Sequence, residues 1–220
     1  MEKNKIEDRE YNEQTITQDF SRVTKIYDYW AGLTEKKAQQ QVLDYAEISD
    51  GIAILEVAVG TGMLFKKMVE QNPTGRNIGL DISVDMLGKA KGRMAQSNLE
   101  NYQLEVGNAL ELPFENSQFD LLVNNFMLDL LPQEDFQPIL EEFYRVLNPG
   151  GRVVISSMSF GTKKIHQFWS WLARNFPRLL TGCRPISIQE TLKDVGFKEI
   201  RVSELSQNTF PSEVTTGLKP

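Results

Sequence analysis

The polar residues that could do chemistry in this chain stand where apolar runs break or end. Glu56 interrupts an apolar, β-branched run over residues 52–59. A carboxylate inside such a run is costly unless it has a partner or a ligand. Gly60 and Gly62 follow at once, with Thr61 between them. Paired glycines let the backbone turn tightly and bring its N–H groups against a ligand with no Cβ in the way. Asp81 ends a second apolar stretch 21 residues after Gly60. An acceptor-only carboxylate suits the hydroxyl pair of a ribose. Asn108 and Ala109 form a turn after a third stretch, and Asn124 and Asn125 lie at the end of a fourth. Together these residues describe a nucleotide-type site.

The elements that would position them alternate. Residues 52–59 read as a strand buried on both faces, and residues 63–71 as the returning helix. Residues 77–81 read as a second strand. Ser83 is a good N-cap for a helix with Met86, Leu87, Ala90 and Met94 on its apolar side, and Asp85 suits its positive end. Strands over 102–106 and 119–126 follow. Phe136, Ile139, Leu140, Phe143 and Leu147 have helical spacing, which tolerates Pro138 only in the first turn. A fifth strand is expected over 152–156, a helix over 187–195 stopped by Gly196, and strands over 197–205 and 214–218. The order predicts an α/β fold: a Rossmann-like, mostly parallel sheet with helices on both faces and an antiparallel last strand. Ligands in such sheets sit beyond the carboxyl ends of the strands.

At 220 residues the chain supports one buried domain. Its net charge of −6 argues against a general nucleic-acid partner. One cysteine and one histidine leave no set for a Cys/His metal site. No apolar stretch is long enough for stable membrane insertion. A soluble cytoplasmic monomer or homodimer is the expectation. Residues 1–49 read as a polar tail and helical cap, residues 50–220 as the cofactor-binding domain, with 159–186 as a substrate-side insertion.

A dinucleotide site would want a third glycine three residues after Gly62, where Phe65 stands. That weakens a nicotinamide-dependent oxidoreductase, the first alternative. Residues 55–62, Leu-Glu-Val-Ala-Val-Gly-Thr-Gly, resemble the first signature of Rossmann-like S-adenosylmethionine-dependent methyltransferases. Residues 79–83, 107–114, 119–125 and 145–151 resemble the later signatures, in order and at family spacing. Within the family the chain resembles the branch that includes ubiquinone and menaquinone methyltransferases.

The resemblance implies S-adenosylmethionine as cofactor and a role for each strand-end residue. The backbone at Gly60, Thr61 and Gly62 would face the methionine part, and Glu56 its ammonium. Asp81 would hold the ribose, while Ile82, Met86, Asn108 and Ala109 would hold the adenine. Asn124 would offer a backbone carbonyl, and Tyr27 would act as a lid. Asn108 stands where relatives often have Asp. Asp129 and His166 are the candidates for proton handling. Residues 124–127 lack the paired prolines of nucleic-acid amino-methyltransferases. The acceptor is therefore expected to be a small molecule, and the apolar residues 20–30 and 160–176 suggest a hydrophobic or aromatic one. A non-catalytic S-adenosylmethionine-binding protein is the second alternative. Ile165, Phe168, Trp169, Leu172 and Phe176 form an apolar stripe near Lys163, Lys164, Arg174 and Arg178, expected to pack as a helix on the domain, with a lipid-surface contact and a wall of the substrate pocket as the alternatives.

Overall fold

The computed structural model describes residues 32–97, 99–176, 180 and 182–220. The segment 20–30 with Tyr27, and Arg178, lie outside the described residues. A helix α1 (Lys36–Ala46) precedes the central strand β1 (Ala53–Val57). Then come α2 (Met63–Gln71), β2 (Arg76–Asp81), α3 (Val84–Met94), β3 (Tyr102–Val106) and β4 (Phe119–Asn125). After β4 the chain makes two short 3-10 turns and enters α4 (Phe136–Val146), β5 (Leu147–Met158) and α5 (Lys164–Asn175). It closes with α6 (Gln189–Val195), β6 (Lys198–Gln207) and β7 (Phe210–Leu218).

The seven strands form one sheet in the order β3-β2-β1-β4-β5-β7-β6. β1 to β5 pair in parallel, while β7 runs antiparallel to both β5 and β6. The strand order reverses between β1 and β4, which opens a crevice at their carboxyl ends. Alternation on β1 explains why both faces are covered. Ile54 joins the core beneath α1, α2, α3 and α5, whereas Leu55 and Val57 join the core beneath α4 and α6. Glu56 has the same side as Ile54 by this alternation. Phe65, which occupies the position a dinucleotide site would give to glycine, is fully buried and edge-on to Tyr102.

Local chemistry sets the ends of the elements. The Ser83 hydroxyl accepts from the Met86 N–H at 3.3 Å, capping α3, with Asp85 in the first turn and Lys91 and Arg93 in the last. Pro138 falls in the first turn of α4, where its missing N–H costs nothing. β5 starts earlier than expected because residues 147–151 are drawn into the sheet. Leu147 pairs with Phe119, and Gly150 and Gly151 exchange backbone hydrogen bonds with Lys219. β6 and β7 are joined through Asn208 and Thr209, both at positive φ (49° and 69°), the geometry of a two-residue hairpin turn.

Candidate functional site

The turn after β1 alternates in hand. Ala58, Gly60 and Gly62 all adopt positive φ, at 62°, 55° and 77°. The two glycines serve different ends. A Cβ at Gly60 would meet open space, while one at Gly62 would lie 3.1 Å from the Ala90 Cβ. Gly62 therefore lets the start of α2 close on α3, and Gly60 leaves room for a ligand. Ala58 is the unexpected member, since an L-residue in this conformation costs about 1–2 kcal/mol.

Asp81 ties this turn to the next strand end. One of its carboxylate oxygens accepts from the Gly60 N–H at 2.8 Å, and the other from the Ser83 N–H at 2.8 Å. Burial raises its pKa, and these backbone N–H groups oppose the rise. Each oxygen keeps acceptor capacity for a ligand.

Behind it, Glu56 is 2% exposed, and one of its carboxylate oxygens has no hydrogen-bond partner. Burial, followed by the charge on Asp81, pushes its pKa well above the ordinary carboxylate range. Two buried acids side by side favour a cation between or beside them.

A cavity of about 170 Å³ opens at this point, at the carboxyl ends of β1, β2 and β4. Gly60, Asp81, Ile82, Met86, Asn108 and Ala109 line it, which brings six of the residues singled out in the sequence together. The Asn108 side chain accepts from the Leu110 N–H at 3.0 Å, shaping the turn. Opposite stands an apolar wall that includes Phe126, Met127, Leu130, Leu131 and Ile139. Sequence reasoning missed this wall, and also Ala58. The signal for the wall was available in the apolar residues that follow β4.

Other expected residues sit elsewhere. Glu56, Thr61, Gly62 and Asn124 are behind the cavity surface and do not line it. The Asn124 amide donates to the Val57 carbonyl at 2.9 Å, which locks β4 to β1, while the next residue, Asn125, lines the cavity. Asp129 is fully buried in the first 3-10 turn and accepts from the Met158 N–H at 2.9 Å. Burial pushes its pKa up to about 7, with the Met158 N–H and then Arg184 among the opposing groups. His166 lies in the first turn of α5, buried, with its Nε2 3.3 Å from the Ser206 hydroxyl and its Nδ1 accepting from the Lys163 N–H. Neither lines the cavity. Among the described residues no cluster of His, Cys, Asp and Glu is placed to hold a metal ion.

Strand order, glycine turn and acid-bearing second strand define the class. The chain belongs to the Rossmann-like S-adenosylmethionine-dependent methyltransferases, and a methyltransferase-domain family model matches residues 48–204. Among curated proteins it is similar to the demethylmenaquinone methyltransferase of Listeria monocytogenes serotype 4a, with 31% identity across 87% of this chain and 91% of the relative. It is 33% identical to the Lactococcus lactis protein of the same name across 70% of this chain, spanning 59% of that relative's length. Among solved structures, Haemonchus contortus phosphoethanolamine N-methyltransferase 2 in complex with S-adenosyl-L-methionine superposes with a TM-score of 0.66 at 18% identity. That likeness covers 84% of this chain and 53% of the other, and bears on the fold.

Proposed function

We propose that the chain transfers the methyl group of S-adenosylmethionine to a small acceptor with an aromatic, quinol-like head. The observation that carries the reading is the cavity at the β1/β2/β4 crevice, with Asp81 on one side and an apolar wall on the other. The donor set fits the cofactor. Asp81 presents acceptor oxygens for ribose hydroxyls, Ile82 and Met86 give apolar surface to the adenine, and Asn108 and Ala109 edge it. Glu56, a buried acid with an unpartnered oxygen, fits the ammonium of an amino-acid end. Gly60, Thr61 and Gly62 supply the close backbone, with Asn124 beneath, and Tyr27 is the proposed lid.

When bound, S-adenosylmethionine supplies a methyl group already activated on a sulfonium. The protein's own work is to align the acceptor, exclude water and hold the acceptor's proton. Phe126, Met127 and Leu130 supply a water-excluding wall. Asp129, in the 3-10 turn between the wall residues Met127 and Leu130, is the first candidate to receive that proton, which would have to reach it from the cavity surface. His166, whose Nε2 lies 3.3 Å from the Ser206 hydroxyl, is the second candidate. The names of the curated relatives support a quinol-like acceptor.

Incubation with methyl-labelled cofactor and reduced demethylmenaquinone tests the assignment, and a metabolite extract in parallel reports any other acceptor. Labelled methyl on the quinol ring is the expected result. Label on an unrelated acceptor alone overturns the quinol assignment. Calorimetric binding of NADPH but not S-adenosylhomocysteine would contradict the family chemistry itself.

A further inference from the structure

The stripe on α5 does not pack whole against the domain. Trp169 and Leu172 reach the core, but Ile165, Phe168, Trp171 and Phe176 stand 46%, 50%, 51% and 50% exposed. Phe168 and Trp171 stack with ring centroids 6.0 Å apart, and Phe176 lies edge-on to Trp171 at 5.7 Å. Large apolar patches of this kind on a surface helix mark an interaction site. Lys163, Lys164 and Arg174 are exposed around it.

The charge pattern names the partner. From Phe160 to Phe176 the chain carries Lys163, Lys164 and Arg174 and no Asp or Glu. A basic rim around aromatic side chains, on a protein of net charge −6, complements an anionic lipid surface. A second copy placed face to face would set the same cations against each other. The patch also connects inward. Phe168 touches Trp169, Trp169 stands edge-on to Phe210 at 5.3 Å, and Phe210 lies 6.4 Å from Phe126 on the cavity wall.

We propose that α5 is a peripheral membrane anchor, which lays Ile165, Phe168, Trp171 and Phe176 into an anionic bilayer surface with Lys163, Lys164 and Arg174 at the headgroups. No helix among the described residues is long and apolar enough to cross a membrane, so the contact is interfacial. It sets one end of this packed series of rings at the lipid boundary, with Phe126 of the cavity wall at the other end.

Sedimentation of the full chain with vesicles tests this without cofactor or acceptor. Vesicles of phosphatidylcholine mixed with phosphatidylglycerol are expected to retain the protein and to shift its tryptophan emission to the blue. Phosphatidylcholine alone, or high salt, is expected to release it. Phe168→Ser with Trp171→Ser, and separately Lys163→Glu with Lys164→Glu, should each weaken retention about tenfold or more. Unchanged S-adenosylhomocysteine affinity in both variants shows that they fold. No retention on mixed vesicles, or retention that neither variant weakens, overturns the proposal. So does an oligomer that dissociates in the Phe168→Ser/Trp171→Ser variant while vesicles are ignored, which would assign the face to a second copy.

Discussion

Glu35 and Asp129 are buried neighbours, and each leaves one carboxylate oxygen without a hydrogen-bond partner. Burial, then the charge on Asp129, raises the Glu35 pKa to about 8, while burial takes Asp129 to about 7. The pair therefore holds a proton near neutral pH. Both groups bind protons more tightly folded than unfolded. Their stabilising contribution is fully present below about pH 4, where the unfolded carboxyls are also protonated, and is lost as pH rises through 7 to 8. Urea midpoints are expected to fall across that window. Asp129→Asn keeps an acceptor for the Met158 N–H and should reduce the slope by up to about 1.4 kcal/mol per pH unit. An unchanged slope in that variant assigns the pH dependence to other carboxyls.

Asp81→Asn tests the ribose assignment. An amide keeps one acceptor oxygen, so it can satisfy either Gly60 or Ser83 but not both. Charge-assisted bonds of the carboxylate are worth about 1.5–3 kcal/mol each. S-adenosylhomocysteine binding by calorimetry should weaken roughly 10- to 100-fold. The midpoint of thermal unfolding without ligand should fall as well, because one of these two backbone N–H groups is left without its acceptor, at about 1–3 kcal/mol. Unchanged affinity would remove Asp81 from the cofactor site.

Ala58 carries strain that glycine would relieve. Its φ of 62° is one that L-residues adopt at a cost of about 1–2 kcal/mol, partly offset by glycine's greater loss of freedom on folding. Ala58→Gly is expected to stabilise by roughly 0.5–1 kcal/mol in chemical denaturation. Ala58→Val should destabilise by more than that, because β-branched residues tolerate positive φ worst. A stabilising valine would show that the turn relaxes out of the left-handed region.

The sheet was legible because its parallel strands are buried on both faces and so appear as unbroken apolar runs. The strand-end residues were legible for the same reason, as polar breaks in those runs. Ser83 and Pro138 signalled helix starts through chemistry local to the backbone. The burial of Glu35 was not legible. It depends on α1 lying over β5 and on a 3-10 turn far along the chain, and no local pattern encodes that. On α5 the 3.6-residue period shows an apolar stripe but not how the helix is rolled. Trp169 turns inward onto Phe210, and Phe168 and Trp171 are left outside. Ala58 hid because nothing in an alanine announces a left-handed backbone.

Glu56 should couple cofactor binding to protons. Burial, then the Asp81 charge, holds its pKa well above the usual range in the free protein. A bound ammonium beside it would lower that value by favouring the carboxylate. Binding then releases a proton, and affinity rises with pH until the free-protein pKa is passed. Calorimetry of S-adenosylhomocysteine in buffers of different ionisation enthalpy reads that release directly. Glu56→Gln should abolish the release attributable to this group and weaken binding by about tenfold or more, since a neutral amide cannot pair with the cation. Proton release that persists in full in Glu56→Gln would place the titrating group elsewhere, with Asp81 the next to substitute.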